Sequence, residues 1–175
     1  MRLRRTSTVV VALVVLLVLV ASSAAATSGG STPAATSTTV TIPLSNGGAV
    51  RVTTTVTPLA AGGRLGVIPL TSGWHWNGTV GIDVVGTGLY VNYANSQGTA
   101  YTGPGCATGH LTDNMGHLDG DDTGEVCWDS TGGAVVNSTW GFIGSGHNFP
   151  NGDQVCVNYD GKNAPIGKPC ITISS

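Results

Sequence analysis

The chain has 175 residues, which is enough for one small domain with short extensions, and its formal net charge is -2. Charged residues make up only 9% of the sequence, against roughly 25% in an average globular protein. This composition excludes coiled coils, long surface helices and basic nucleic-acid-binding faces, so we expect no nucleic-acid partner.

The N-terminus has the three-part layout of a secretory signal peptide. Three arginines lie within residues 1–5, an apolar run follows at 9–21, and a stretch of small residues ends at Ala26. The apolar run is shorter than the roughly 20 residues that a bilayer requires, so we expect cleavage after Ala26. Residues 1–26 are therefore predicted to be a signal peptide. The mature chain would be secreted and extracellular, with no stable membrane anchor after signal cleavage.

The rest of the chain divides into a leader and one domain. Residues 27–39 are small or polar and uncharged, and we predict a flexible leader because they bury too little to offset chain entropy. From residue 40 to 175, β-branched runs alternate with Gly, Pro, Asn and Asp clusters at the spacing of an antiparallel sandwich. Strands are predicted at 40–44, 50–57, 65–71, 79–85, 89–94, 126–129, 134–142, 154–159 and 170–174.

Turn chemistry and periodicity support the same fold. Apolar and polar residues alternate most clearly at 50–57, which places Val50, Val52 and Val56 on one face of a strand. Tight turns are predicted at Asn-Gly or Asp-Gly pairs, at positions 46–47, 77–78, 151–152 and 160–161. The sequence predicts a single all-β domain, an antiparallel β-sandwich of immunoglobulin-like or jelly-roll-like type.

Four cysteines in an exported chain predict two disulfides. We favour the sequential pairing, Cys106 with Cys127 and Cys156 with Cys170, because the second pair lies on two strands joined by a turn-rich loop. The crossed pairings remain alternatives.

One cysteine also belongs to a second pattern. Cys106, His110 and Met115 are spaced like the ligands of the copper loop in cupredoxins, which the segment resembles, and His75 stands where an upstream ligand would. This resemblance implies a copper protein as an alternative function. It requires a free thiolate at Cys106, which would leave Cys127 without a partner.

Six of the nine carboxylates lie between residues 113 and 129. Within this acidic loop, Asp119, Asp121, Thr123 and Glu125 alternate as oxygen donors do in calcium-binding loops. Position twelve of the pattern is Ser130 rather than glutamate, so the loop is not an EF-hand. We interpret the segment as a solvated acidic loop held between two cystine-bearing strands, and a calcium site built from these oxygens is the alternative.

Catalytic residues are not predicted, because the sequence lacks a Gly-x-Ser-x-Gly nucleophile elbow. The nearest approach, Ser145 and His147 in a glycine-rich run, is typical of a mobile turn. Paired carboxylates for glycoside hydrolysis would have to come from the acidic loop, where exposure gives no raised pKa. The sequence therefore does not indicate an enzyme.

Binding has better support than catalysis. Trp74 and Trp76 are two residues apart, so a strand would present both on one face as a platform for sugar rings or for a protein surface. Tyr101 is a third candidate for ligand contact. The alternative is that the two tryptophans lie in the core, as we expect for Trp128.

The C-terminal third carries a second resemblance. Residues 149–157, which end in a cystine-bearing strand, and 167–173, which contain the partner cysteine, resemble the end of small secreted β-proteins of high-GC Gram-positive bacteria. This resemblance implies a disulfide-stapled β-domain and no particular activity. The sequence thus favours a secreted, non-catalytic domain that binds an extracellular glycan or protein. The alternatives are the copper protein and a structural secreted protein with no small ligand.

Overall fold

The computed structural model describes residues 34–43, 48–61, 73–116, 118, 121–143 and 147–175, with only the backbone at Asp121. All of them belong to one compact unit, Ser31–Ser175. The predicted signal peptide, the first part of the predicted leader, the turn at 46–47 and the strand predicted at 65–71 lie outside the described residues.

The described residues form β-strands and no helix, which confirms the predicted all-β class. In chain order the strands are β1 (Thr36–Pro43), β2 (Ala49–Pro58), β3 (His75–Asn77), β4 (Val80–Thr87), β5 (Tyr90–Ala100), β6 (Gly105–Asp113), β7 (Asp121–Asp122), β8 (Val126–Trp128), β9 (Ala134–Ile143), β10 (His147–Asn148), β11 (Gln154–Asp160) and β12 (Cys170–Thr172). Accordingly, no described residue belongs to a helix of the length and apolarity needed to span a membrane.

The strands make two antiparallel sheets. Over the described ranges, the larger sheet has the order β1-β2-β9-β5-β4-β3, with β10 added to β5. The smaller sheet has the order β12-β11-β6-β7, with β8 added to β6. β11 and β12 pack against β4, and β8 packs against β2. The predicted sandwich is therefore confirmed.

The core lies between the two sheets because alternate residues of each strand point inward. From the larger sheet come Val50, Val52, Val56, Ile82 and Trp140, and from the smaller sheet come Leu111, Trp128, Val155, Val157 and Tyr159. Trp128 is thus a core residue, as predicted. The side chains that alternate with these face outward, and they form the two outer surfaces of the sandwich.

A row of hydroxyl groups crosses this core. Thr54, Ser138 and Ser96 lie opposite one another on β2, β9 and β5, all with inward-facing buried side chains. Tyr159 reaches them from the smaller sheet, and its hydroxyl hydrogen-bonds to both serines. Burial raises the pKa of Tyr159 to about 12, although the hydrogen bonds to Ser138 and Ser96 act in the opposite direction. The network fixes how one sheet sits on the other.

The two disulfides follow the predicted sequential pairing, Cys106–Cys127 and Cys156–Cys170. Each joins residues directly opposite each other on paired strands, β6 with β8 and β11 with β12. The sequence separations are 21 and 14 residues, for which the chain-entropy model gives about 3 kcal/mol each. Two such bonds indicate that the protein folds in an oxidising compartment.

Strand β6 is the main element that the sequence reasoning missed. Its glycines look like turn residues, but Gly105 lies under the ring of Trp128 and Gly109 under the ring of Tyr159. A Cβ added at these positions would approach the two rings to 2.6 Å and 2.8 Å. Glycine is needed in this strand because aromatic rings from neighbouring strands occupy the space of its side chains.

Strand β1 begins at Thr36, four residues before the predicted boundary at residue 40. Hydroxyl pairs hold this extension to β2, with Ser37 3.1 Å from Thr55 and Thr39 3.2 Å from Thr53. The last residues of the predicted leader are therefore part of the larger sheet.

Candidate functional site

The tryptophan pair lies at one edge of the larger sheet. Trp76 is in the edge strand β3, Trp74 precedes it, and the two rings stack with centroids 5.9 Å apart. Trp76 lies flat over Gly81 of β4, where an added Cβ would approach the ring to 2.8 Å. Both side chains are half-buried. They are neither core residues nor a fully exposed platform, but an aromatic border to the outer face.

A first row of side chains crosses this outer face in register. Going from β3 to β1, the strand pairing aligns Trp76, Gly81, Gln97, Asn137, Thr55 and Ser37. Since neighbouring strands are about 4.8 Å apart, the six positions span about 24 Å. Beyond the aromatic border the row carries only amides, hydroxyls and one glycine.

A second row runs parallel to the first, two residues along each strand. It aligns Asp83, Asn95, Thr139, Thr53 and Thr39 from β4 to β1. Thr139 donates a hydrogen bond to the amide oxygen of Asn95 at 3.0 Å. In a third row, Val85, Tyr93, Gly141, Arg51 and Thr41 are aligned. We call these three rows the polar face.

The polar face keeps hydrogen-bonding groups available to a ligand. Gln97 and Asn137 are neighbours in the first row and half-buried, and within the described part of the chain neither amide side chain forms a hydrogen bond. Asp83 and Arg51 are the charged residues of the described rows. The face can therefore offer amides, hydroxyls and aromatic rings to an uncharged ligand.

Tyr101, the third predicted ligand contact, lies elsewhere. It follows the end of β5, four residues beyond Gln97, and its side chain is 62% exposed on the rim of a cavity of about 220 Å³. The structure thus places Tyr101 just after β5, outside the row that contains Trp76.

The residues predicted to bind calcium are only partly described. Asp119 and the side chain of Asp121 lie outside the described residues. The Thr123 hydroxyl is buried and accepts a hydrogen bond from the backbone N–H of Gly109 at 2.7 Å. The carboxylate of Glu125 is exposed and lies 4.0 Å from the Cys127 sulfur. Thr123 therefore has a structural partner, and the calcium hypothesis stays a prediction.

His110, from the same region, lies between two carboxylates. Its Nδ1 is 2.5 Å from Oδ1 of Asp122, and its Nε2 is 3.3 Å from Oδ2 of Asp160. These residues belong to β6, β7 and β11, so the imidazole links three strands of the smaller sheet. His110 serves as a cross-strand partner for two acidic groups.

The copper alternative is wrong. Cys106 is bonded to Cys127, so it has no thiolate for a metal, and the described residues contain no free cysteine. His75 and His110 also lie in different sheets, on β3 and β6. Among described residues, potential metal-ligand atoms come together at Cys106, Glu125 and Cys127. Two of these three atoms are the disulfide sulfurs, which lack the charge of a ligating thiolate.

His147 does not lie in a mobile turn. It is buried in β10, its ring stacks against Phe142 with centroids 5.0 Å apart, and it contacts Phe149 at 4.7 Å. Residues 144–146 lie outside the described residues. Two flanking aromatic rings explain why this histidine is buried. The glycine-rich sequence around it gave no sign of this burial.

A buried acid pair was also missed by the sequence reasoning. Asp153, before β11, is fully buried beside Asp113 at the end of β6. Burial raises the pKa of Asp153 above 3.8, and the charge and hydrogen bond of Asp113 act in the same direction. Asp113 also accepts a hydrogen bond from the N–H of Leu118 at 3.0 Å. The pair ties this turn to the sheet, and its two members are 40 positions apart in the sequence, so no local pattern reveals it.

The chain matches no protein-family model, no curated protein and no solved structure.

Proposed function

We propose that the protein is a secreted, non-catalytic domain that binds a neutral glycan on the polar face of its larger sheet. The observation that carries this proposal is the in-register alignment of amide and hydroxyl side chains across β5, β9, β2 and β1, bordered by the stacked Trp74 and Trp76. The predicted signal peptide and the two disulfides are consistent with an extracellular site of action.

The chemistry of the face suits sugars better than proteins. Sugar rings present hydroxyl groups at their edges and C–H groups on their faces, which amide side chains and indole rings respectively can contact. Protein–protein interfaces instead concentrate apolar and aromatic residues in a central, fully buried patch. Here the aromatic residues border the face and its middle is polar, so a hydroxylated ligand is favoured.

The near absence of charge narrows the ligand class. Asp83 in the second row and Arg51 in the third carry opposite charges, and the other residues of the three rows are uncharged. A polyanionic glycan would require several basic groups, since each buried charge needs a partner. Neutral polysaccharides are the class that this surface fits.

The test compares wild type with variants of the face in pull-down assays on insoluble cellulose, chitin, xylan, mannan and starch. Trp76→Ala removes the ring over Gly81, and Gln97→Ala removes an amide that forms no hydrogen bond within the described residues. We expect Trp76→Ala to weaken binding about tenfold or more, as for the loss of a large aromatic contact. Gln97→Ala should weaken it severalfold without changing the thermal midpoint.

Met115→Ala is the matched control, because Met115 is also an exposed large side chain but follows β6 in the other sheet. It should bind as wild type does. Failure of wild type to bind any of the neutral polysaccharides would overturn the proposal. So would equal binding by wild type, Trp76→Ala and Gln97→Ala.

A further inference from the structure

The cavity beside Tyr101 is built from two separate parts of the chain. Thr79, Thr99 and Thr102 line it from the region of β4 and β5, and Asn163, Ala164 and Ile166 line it from the loop before β12. Thr79 fastens the loop in place, because its N–H donates to the carbonyl of Ile166 at 2.7 Å and its hydroxyl accepts from the N–H of Ile166 at 2.9 Å.

The loop has an unusual conformation at this cavity. Asn163 has φ of 56°, and it is the residue other than glycine with a positive φ among those described. Its amide nitrogen donates to the carbonyl of Pro104 at 2.8 Å, which holds the loop against the start of β6. The cavity wall is therefore anchored at both ends rather than loosely placed.

One residue of the cavity lining has a hydroxyl group without a hydrogen-bond partner among the described residues. Thr99 is only 3% exposed and lines the cavity. Its backbone N–H bonds to the carbonyl of Thr79, but its hydroxyl forms no hydrogen bond within the described part of the chain. The Thr99 oxygen is not a fully buried atom, so it is accessible from the cavity and can hydrogen-bond to a ligand hydroxyl.

The cavity continues the polar face. Thr99 is two residues beyond Gln97 on β5, so its side chain points to the same side of the sheet. A chain lying along β5 would pass Tyr93, Asn95 and Gln97 in turn and reach the cavity at the end of the strand.

We propose that this cavity holds the terminal pyranose ring of a neutral glycan, so that the protein recognises chain ends. This inference rests on the proposed function. The volume of about 220 Å³ equals about seven waters at roughly 30 Å³ each and is below the roughly 300 Å³ of sites for drug-sized ligands. This volume suits a single sugar ring.

The lining matches such a ring chemically. Tyr101 and Ile166 are 62% and 78% exposed at the cavity and offer apolar surfaces to the C–H faces of a sugar. Thr99 and Thr102 line the cavity and bring hydroxyl groups to it. The described lining holds no carboxylate and no basic group, so a charged terminal sugar would find no counter-charge.

The test titrates the full mature protein with methyl glycosides of glucose, galactose, mannose, xylose and N-acetylglucosamine, followed by amide NMR shifts. We expect one or more of them to shift the amides of Thr99, Asn163 and Ala164, with Kd near ~1 mM. Thr99→Val, which keeps the shape and removes the hydroxyl, should weaken this binding about tenfold. Trp76→Ala should leave the monosaccharide affinity unchanged while it weakens polysaccharide binding.

Two results would overturn the cavity proposal. One is that no methyl glycoside shifts these amides at about 50 mM, far above the Kd of weak sites. The other is that the glycosides do not bind, whereas benzyl alcohol binds in the cavity and binds Thr99→Val more tightly than wild type. That result would identify the cavity as a pocket for an apolar side chain. If polysaccharide binding still depends on Trp76 in either case, only the chain-end inference fails. If polysaccharides are not bound at all, the function itself fails.

Discussion

Replacing Tyr159 with phenylalanine removes a single hydroxyl from the interface between the two sheets. The hydroxyl bonds to Ser96 and Ser138, and Ser138 keeps a second partner in Thr54 at 3.1 Å. Ser96 loses the partner of its side chain within the described residues and is only 2% exposed. Leaving one buried hydroxyl unsatisfied costs about 1–3 kcal/mol, so we expect Tyr159→Phe to lower the free energy of unfolding by about 2 kcal/mol.

Urea denaturation measures this loss directly. The midpoint should fall with the slope unchanged, since the surface exposed on unfolding hardly changes, and the thermal midpoint should fall by about 8 °C for a domain of this size. Tyr93→Phe is the control, because the Tyr93 hydroxyl is on the outer face and forms no hydrogen bond in the described ranges. The double variant Tyr159→Phe with Ser96→Ala should recover part of the stability, since both partners are then gone.

Alkaline titration provides an independent measurement of the same group. The folded pKa of Tyr159 is about 12, above the ordinary value of 10.0. The protonated form is thus favoured by folding, so the stabilisation is complete below pH 10 and is lost as the pH rises toward 12. Ultraviolet absorbance should show a late-ionising tyrosine that Tyr159→Phe removes. Equal destabilisation by Tyr159→Phe and Tyr93→Phe would refute the reasoning.

Two further substitutions test other parts of the fold. Asp153→Asn should raise the thermal midpoint at about pH 7, and this gain should vanish toward about pH 3. The reason is that an acid with a raised pKa destabilises the fold as the pH rises above 3.8. Thermal melts recorded over a range of pH test this, and an effect that does not change with pH would contradict it. Gly109→Ala should cost about 1–3 kcal/mol because its Cβ would come within 2.8 Å of the Tyr159 ring, whereas Gly141→Ala meets nothing closer than 3.8 Å. Urea denaturation should give a lower free energy of unfolding for Gly109→Ala than for Gly141→Ala. Equal stability of the two variants would show that the Tyr159 ring moves aside at no cost.

The fold was more accessible to sequence reasoning than the site. Strand β2 was predicted at 50–57 and observed at Ala49–Pro58, because alternating valines and threonines encode both the strand and its buried face. The disulfide pairing was also predictable, since short loops between paired strands bring cysteines together. Strand β6 was not predictable, because it needs glycine at positions 105 and 109. The rings of Trp128 and Tyr159, which are distant in sequence, occupy the space where side chains at these positions would lie.

The candidate site shows the same division. Trp74 and Trp76 were identified from their spacing, which is a local property of a strand. Gln97 and Asn137 were not, because amides are frequent in this chain and only strand register places these two side by side in the row of Trp76. The cavity at Thr99 likewise depends on a loop that folds back from residues 163–166.

Local periodicity, turn chemistry and cysteine spacing were enough to determine an oxidised, antiparallel all-β domain, because each depends on residues close together in the chain. Tertiary structure decided which outward-facing side chains share a row, which carboxylates meet and where a cavity opens. These depend on strand register and sheet packing, which join residues 40 or more positions apart. For Thr79 and Ile166 the separation is 87 residues, and no local pattern in the sequence encodes such a contact.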